Sequence, residues 1–329
     1  MRLLLSSAIL AALAAPASAA PPRIVADTAI TGALVAQVLG DLGEPHVLLP
    51  SGASVHHYQM RPSDAQALQS AGLLVWFGPE LTPWLDRAAD AGGTGAPQLE
   101  LLDASDVTLR SYAKDDQHDH DEGHDHEGHD HEGHDHEVQD HGHDHAHEHG
   151  DDHQHDGTDP HAWLNPMNAA PWLTAIAREL SKLDPENAAT YAANADAAAQ
   201  DYLALDQKIA QQLTPLTDKS FVVFHDAYGY FTEHFGLPPA IAVSLGDATS
   251  PSAARLSEVR SQIAESGASC AFPEYGHDPK LIDTVIEGSD VAMGDELDPA
   301  GAGLSPGPML YRDVLQRMSD TLNACLTTE

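Results

Sequence analysis

The stretch from Asp184 to Pro215 limits more than any other how this chain can fold. Asp184 and Pro185 suit an N-cap and a first helical position, and Pro215 stops a helix. Between them, apolar residues recur at steps of three and four, which is the spacing of one helix face. The residues of that face are Tyr191, Ala195, Ala198, Tyr202, Leu205, Ile209 and Leu213. The pattern predicts a single helix of about 28 residues, roughly 42 Å long at 1.5 Å per residue.

Short apolar runs alternate with amphipathic stretches on both sides of this helix, which is the pattern of α/β units. Residues 23–102 predict four strands with intervening helices, one of them capped by Ser63, and residues 221–326 predict four more strands with their helices. A chain of 329 residues also suits two lobes better than one core. We therefore predict an α/β protein of two lobes, each a mostly parallel sheet flanked by helices. An ordinary surface helix would show the same periodicity, but its length and position favour a rigid connection between the lobes.

The first residues predict export. Arg2, an apolar run from Leu3 to about Ala15 and the small residues 17–19 resemble a secretory signal peptide over residues 1–19. The run is shorter than the roughly 20 residues that cross a bilayer, which disfavours a membrane anchor. The predicted division is then an N-terminal lobe over 20–183, a linking helix over 184–214 and a C-terminal lobe over 215–329.

The cysteine count agrees with an exported protein. The chain has two cysteines, Cys270 and Cys325, and an even number in an oxidising compartment favours a disulfide. Two unpaired buried thiols are the alternative. A bridge closing a loop of this length contributes roughly 4 kcal/mol in the loop-entropy model.

Residues 115–158 form a low-complexity tract of His, Asp, Glu and Gly. From Asp115 to Asp159 there are eighteen Asp and Glu and no Lys or Arg, which is half of the formal charge of −36. This composition predicts disorder, excludes nucleic-acid binding through phosphate neutralisation and favours cations as partners. The tract carries fifteen histidines: His118, His120, His124, His126, His129, His131, His134, His136, His141, His143, His145, His147, His149, His153 and His155.

Three histidines outside the tract have unusual surroundings. His56 lies in a loop after the strand "HVLLP", and His225 ends the strand "FVVFHD". Ligands of α/β folds collect beyond the carboxyl ends of strands. His161 lies between two prolines in "TDPHAWLNP", which predicts an extended backbone. A single histidine in such a place is more often a hydrogen-bonded loop residue, so the case for a metal site depends on the set of three.

Several long motifs resemble the cluster A-I (cluster 9) solute-binding proteins of ABC metal importers, and most closely their zinc-binding ZnuA group. The matching stretches are "GASVHHYQMRPSDAQALQSAGLLVWFGPELTPWL", "DPHAWLNP", "FVVFHDAYGYFTEHFGL", "CAFPEYGHDP" and "LDPAG". The resemblance implies two α/β lobes joined by one long helix, with the metal in the cleft between them. It also implies a Cys270–Cys325 disulfide.

Carried over by motif, the resemblance implies that His56, His161 and His225 bind the metal, with Asp298 as a fourth ligand. Three imidazoles suit Zn²⁺, with Zn–N bonds of about 2.0–2.1 Å. Manganese-binding relatives have Glu at the third position, so His225 favours zinc. Asp295, His57 or water are the alternatives for the fourth ligand. Zinc-binding relatives often have an acidic residue before the first histidine, whereas this chain has Val55.

The function that the resemblance implies is import. A monomeric periplasmic protein would capture Zn²⁺ and deliver it to a membrane permease that is powered by a separate ATPase subunit. The tract would then be an auxiliary, weaker zinc collector, or else only a solvated spacer. A manganese importer and a passive metal buffer or chaperone are alternatives. A zinc hydrolase is disfavoured, because the chain has no H-E-x-x-H and no G-x-S-x-G motif.

Overall fold

The computed structural model describes residues 21–89, 95–112, 157–246 and 250–328. The predicted signal peptide and all fifteen histidines of the tract lie outside these residues. The described elements of the N-terminal lobe are β1 (Ile24–Ala26), α1 (Ala29–Leu39), β2 (His46–Val47), α2 (Pro62–Gln69), β3 (Leu73–Trp76), α3 (Pro83–Ala88), β4 (Gln98–Glu100) and α4 (Ala169–Leu183).

One long helix and the C-terminal lobe follow. Their described elements are α5 (Ala188–Leu213), β5 (Phe221–His225), α6 (Gly229–Phe235), β6 (Ile241–Ser244), α7 (Ala253–Ser266), β7 (Cys270–Phe272), α8 (Lys280–Ile286), β8 (Ala292–Met293) and α9 (Leu310–Leu326). No helix among the described residues combines the length and the apolar character needed to cross a membrane.

The two lobes repeat one topology. The N-terminal sheet has the strand order β2-β1-β3-β4 and the C-terminal sheet has the order β6-β5-β7-β8. Every strand pair in both sheets is parallel. The predicted fold of two parallel-sheet α/β lobes is therefore confirmed. In each sheet the chain reverses its direction of winding beside the first strand, and ligands of open α/β sheets bind at the carboxyl ends of strands at such a point.

The long helix α5 buries the predicted face, since all seven residues of that face are buried. Its start differs from the prediction. A 3₁₀ turn, Pro185–Asn187, precedes the α-helix, and Asn187 occupies the N-cap position. The carboxylate of Asp184 still organises this start, because it accepts hydrogen bonds from the Asn187 side chain at 2.7 Å and from the Tyr191 hydroxyl at 2.8 Å. The predicted lobe boundaries themselves stay predictions.

Helix α4 was missed by the sequence analysis, although it forms an extensive contact with α5. Its indole side chain Trp172 is fully buried and donates a hydrogen bond to the Leu101 carbonyl at 2.7 Å. Tyr202, on the buried face of α5, packs against Tyr311 of α9 with 5.0 Å between ring centroids. One continuous apolar core therefore runs from the N-terminal lobe through α5 to α9.

Ser63 does not cap α2, contrary to the prediction. The helix begins at Pro62 with Arg61 at the N-cap position. The Asp64 carboxylate supplies the local bond instead, accepting the Arg61 N–H at 2.7 Å and the Tyr58 hydroxyl at 2.7 Å. With proline at the first helical position, the helix starts two residues earlier than the serine suggested.

The predicted disulfide is present. Cys270 at the start of β7 is bonded to Cys325 in the last turn of α9, across 55 residues of sequence. The bridge attaches the C-terminal helix to the second sheet, at the strand that leads to Glu274.

Replacing both cysteines by serine should lower the free energy of unfolding by about 2–5 kcal/mol, because the unfolded chain regains the freedom that the 55-residue loop restricts. Urea unfolding of the metal-free protein measures this. Reductant should destabilise the wild type by a similar amount and leave the double serine variant unchanged. Equal sensitivity of both proteins to reductant would contradict the prediction.

Candidate metal centre

His225 is the last residue of β5, and a carboxylate contacts its ring nitrogen Nδ1. Its Nδ1 lies 2.7 Å from Oε2 of Glu274, which follows β7, the neighbouring strand. Tyr228 donates a second hydrogen bond to the same oxygen at 3.1 Å. Burial and the adjacent Glu274 carboxylate raise the pKa of Tyr228 well above its usual value. The phenol therefore stays protonated and remains a donor to Glu274.

His161 has a similar arrangement. Its Nδ1 lies 2.8 Å from Oδ1 of the fully buried Asp159, and its backbone N–H donates to the same oxygen at 3.0 Å. Burial raises the pKa of Asp159, but hydrogen bonds and charge from His161, together with Arg110, outweigh burial and hold this pKa below its ordinary value. Because a carboxylate only accepts, Nδ1 of His161 and of His225 carries a proton, and in the neutral ring Nε2 then keeps a lone pair that a metal could use.

The predicted extended backbone of His161 is wrong. Its φ and ψ are −78° and 33°, at the start of a 3₁₀ turn, Ala162–Leu164. A proline restricts the residue before it, and Asn165, which precedes Pro166, is indeed extended at −94° and 108°. The restriction was therefore assigned to the wrong residue.

His56 lies in a loop after β2. Ser54 Oγ accepts the N–H groups of His56 and His57 at 3.3 and 3.2 Å. The indole of Trp84, which is itself packed edge-on against Tyr58, donates to the Val55 carbonyl at 2.8 Å. His56 is half-buried, whereas His161 and His225 are only 3% and 5% exposed.

The fold brings these three rings together. The ring centroid of His161 lies 5.6 Å from that of His56 and 5.5 Å from that of His225. Imidazoles around one tetrahedral zinc, with Zn–N bonds of 2.0–2.1 Å, have centroids about 5 Å apart. Among the residues that the structure describes, no set of three or more His, Cys, Asp or Glu side chains has its donors gathered as a metal ion requires. Metal ligation by the three histidines is therefore a proposal.

The structure places the predicted fourth ligand in a turn. Asp298 is half-buried, and its two carboxylate oxygens accept the backbone N–H groups of Ala302 and Gly303, both at 2.9 Å. Its charge also acts on the nearby Tyr228 hydroxyl. Asp295 is exposed, and so is His57, whose ring centroid lies 6.3 Å from that of His56.

Contacts between the lobes surround the three rings. The Trp163 indole donates to the Pro299 carbonyl at 2.8 Å, and the Ser51 hydroxyl donates to the Ala302 carbonyl at 2.6 Å. A largely apolar cavity of about 150 Å³ lies between these contacts and is lined by residues of both lobes, including Val55 and Trp163. The loop that carries His56 therefore borders open volume rather than a close-packed core.

Sequence reasoning missed the carboxylates Asp159 and Glu274. Both stand inside motifs that were recognised, "DPHAWLNP" and "CAFPEYGHDP", and Asp159 is only two residues from His161. The spacing could have suggested Asp159, because a carboxylate two residues before a histidine reaches its ring easily. Glu274 is 49 residues from His225 and becomes its neighbour only through the pairing of β5 with β7.

Two parallel-sheet lobes, one long connecting helix and a cluster of imidazoles between the lobes define the class of cluster A-I solute-binding proteins. A solved structure with this fold is the periplasmic zinc-binding protein TroA from Treponema pallidum, with a TM-score of 0.70, 18% identity and coverage of 93% of this chain and 99% of that one.

Sequence comparison gives the family. Residues 24–325 match the family described as "ZnuA: Zinc-uptake complex component A periplasmic". The chain is 56% identical over 326 residues to the high-affinity zinc uptake system protein ZnuA of Paracoccus denitrificans (strain Pd 1222), which covers 98% of this chain and 97% of the relative. It is 40% identical over 299 residues to the protein of the same name from Brucella suis biovar 1 (strain 1330), covering 89% and 88%. The chain belongs to the ZnuA family.

Asp159→Asn and Glu274→Gln should each weaken zinc binding by about 10–100-fold, the range found when a partner of a metal-bound histidine is replaced. The amide loses the charge that favours the Nδ1-protonated ring and adds an N–H that competes with it. Competition with a chelator of known affinity measures the change. Asp41→Asn, an exposed substitution, is the matched control and should leave the affinity unchanged. Wild-type affinity in both carboxylate variants would contradict the prediction.

The lowered pKa of Asp159 also predicts an acid-dependent loss of stability. The ionised carboxylate stabilises the fold above the unfolded-state pKa of about 3.9, and this contribution is lost as the pH falls through the lower folded-state value. The stability difference between wild type and Asp159→Asn should be largest near neutral pH and narrow below about pH 4. Urea unfolding of both metal-free proteins across this range measures it; a constant difference would contradict the assignment.

Proposed function

We propose that this protein captures Zn²⁺ in the periplasm and delivers it to the membrane permease of an ABC importer. The arrangement of His161 between His56 and His225, with centroid distances of 5.6 and 5.5 Å, is the observation that carries the proposal. Zinc is the cargo in this scheme, so the site must release the ion as well as bind it. The names of the relatives at 56% and 40% identity support zinc as that cargo.

Three Nε2 atoms would supply the nitrogen ligands. His161 and His225 are buried and oriented by Asp159 and Glu274, and the ring centroid of His56 lies 5.6 Å from that of His161. Neutral imidazole nitrogens suit Zn²⁺, whereas Mn²⁺ prefers oxygen ligands. The donor set therefore favours zinc over manganese.

Asp298 is proposed as the fourth ligand. Its oxygens each accept one backbone N–H, which leaves further lone pairs available on both. Water held by Asp298 is the alternative, and in that case the carboxylate would act without touching the ion.

The ZnuA family is a family of transport proteins, and we propose that this chain has no enzymatic activity. A zinc hydrolase keeps an open metal position beside a general base. The two buried carboxylates nearest the rings, Asp159 and Glu274, are instead hydrogen-bonded to the Nδ1 atoms of His161 and His225. Ester or peptide turnover by the zinc-loaded protein, abolished by chelation, would overturn this part of the proposal.

The His-rich tract is proposed as an auxiliary zinc collector of lower affinity. Its histidines alternate with carboxylates, which allows several weak and interchangeable sites. The composition of the tract predicts that each binding event must order the chain, and that cost reduces affinity. Protonation of imidazoles, with an unperturbed pKa of about 6.5, should release zinc from such sites as the pH falls.

Metal analysis and calorimetric titration of four proteins test the proposal: the intact protein, a deletion of residues 116–156, His225→Ala and Asp298→Asn. The deletion should keep one tight zinc site and lose the weaker ones. His225→Ala should weaken the tight site by more than 100-fold, since one of three protein ligands of the ion is lost. Asp298→Asn should weaken it if the carboxylate touches the ion and leave it nearly unchanged if water completes the shell.

His46→Ala is the matched control, because His46 is an exposed histidine on β2. It should bind zinc like the wild type. Tight binding of Mn²⁺ in preference to Zn²⁺ after competitive loading would overturn the choice of metal. Unchanged zinc uptake under scarcity in cells that lack the protein would favour a passive buffer instead.

A further inference from the structure

The chain segments on either side of the His-rich tract pair with each other. Residues 110–112 and 157–159, here called the neck, are linked by an antiparallel bridge between Ser111 and Thr158. Tyr112 N–H donates to the Gly157 carbonyl at 3.2 Å, and Asp159 N–H donates to the Arg110 carbonyl at 2.9 Å. The neck therefore ends on Asp159, the residue whose carboxylate orients His161.

The Arg110 side chain holds the other half of that carboxylate. Its Nη1 lies 2.6 Å from Oδ2 of Asp159, while Oδ1 of Asp159 accepts from His161. Asp159 is fully buried, so bulk solvent does not reach its carboxylate. The rotation of the carboxylate, and with it the direction of the His161 ring, is thus fixed from two sides.

Arg110 also reaches the opposite lobe. Its guanidinium lies 5.8 Å from the ring centroid of Tyr230, and Nε is 3.5 Å from Oε2 of Glu233, both on α6. The Tyr230 hydroxyl accepts the Arg110 N–H and donates to the Asp159 carbonyl, both at 2.9 Å. Helix α6 begins four residues after His225. One arginine therefore connects the support of His161 to the helix that follows His225.

Gly229 leaves room for this contact. A Cβ atom at position 229 would lie 1.8 Å from Nη1 and 2.2 Å from Cζ of Arg110. Gly229 has no positive φ, so its backbone accepts an alanine, and alanine favours a helix more than glycine does. The guanidinium of Arg110 occupies the space that a larger side chain at position 229 would need, which explains why this residue is glycine.

We propose that Arg110 is a positioning residue for zinc binding, which acts through Asp159 on His161 and through α6 on the approach of the two lobes. The inference deepens the proposed function and rests on it. No contact between Arg110 and the ion is required. Lysine is a poor substitute, because it lacks the planar fork that contacts a carboxylate and stacks on an aromatic ring together.

Arg110 has two opposing effects on zinc affinity. Their balance decides whether its removal weakens or tightens zinc binding. As a positive charge near the site, Arg110 repels Zn²⁺, so removing it would tighten binding if charge alone mattered. As a positioning group, it keeps Asp159 and His161 aligned, so removing it would weaken binding. The proposal holds that alignment outweighs repulsion.

The experiment compares zinc affinity, by chelator competition, in the full-length wild type, Arg110→Gln, Arg110→Lys and Gly229→Ala. Arg110→Gln should bind zinc roughly three- to tenfold more weakly, less than the 10–100-fold typical of direct partners of a ligand. Arg110→Lys should recover part of the loss. Gly229→Ala displaces the guanidinium without changing any charge and should weaken binding similarly. In the Arg110→Gln background, Gly229→Ala should add no further loss.

A spectroscopic measurement separates positioning from general stability. The visible absorption of the Co²⁺-loaded protein, which reports ligand geometry, should change in Arg110→Gln and Gly229→Ala. Glu265→Gln is the control: Glu265 is exposed on α7, and neither affinity nor spectrum should move. If Arg110→Gln does not fold, the zinc affinity and the Co²⁺ spectrum of Gly229→Ala test the proposal instead.

The outcomes distinguish this inference from the proposed function. Unchanged or tighter zinc binding in both Arg110→Gln and Gly229→Ala, with His225→Ala still defective, would overturn the role of Arg110 alone. Unaltered zinc binding in His225→Ala would overturn the site itself. Weaker binding in both variants, with an altered Co²⁺ spectrum, would support the inference.

Discussion

The stiffness of α5 is the constraint on which the rest of the structure depends. Its buried face contacts α1, α4 and α9, so the helix is part of the core and not a tether beside it. Bending it within its length would break backbone hydrogen bonds and open that core. A large hinge motion of the lobes by bending within this helix is therefore disfavoured.

The three imidazoles differ in how firmly they are held. His161 and His225 lie in the core, and each has its Nδ1 fixed by a buried carboxylate. His56 lies in a half-exposed loop that borders the interlobe cavity. The described structure therefore packs His161 and His225 more closely than His56.

Much of this could be predicted from the sequence because it depends on local pattern. The prediction of the buried face of α5 was correct at every position. The strand "FVVFHD" correctly placed His225 at the carboxyl end of a strand. The proximity of His56, His161 and His225 needed the family motifs, since no local rule joins residues so far apart in the chain. Glu274 was missed for the same reason. Helix α4 was missed although its own segment is amphipathic. The backbone of His161 was predicted wrongly because a proline restricts the residue before it, whereas His161 follows Pro160.

The neck has an evolutionary consequence. The bridge between Ser111 and Thr158 holds the two ends of the His-rich tract side by side. The positions of these ends therefore do not depend on the number of residues between them. Duplication or loss of short repeats in that segment would leave Asp159 and His161 in register. A change in the length of the tract is therefore compatible with an unchanged bridge between Ser111 and Thr158.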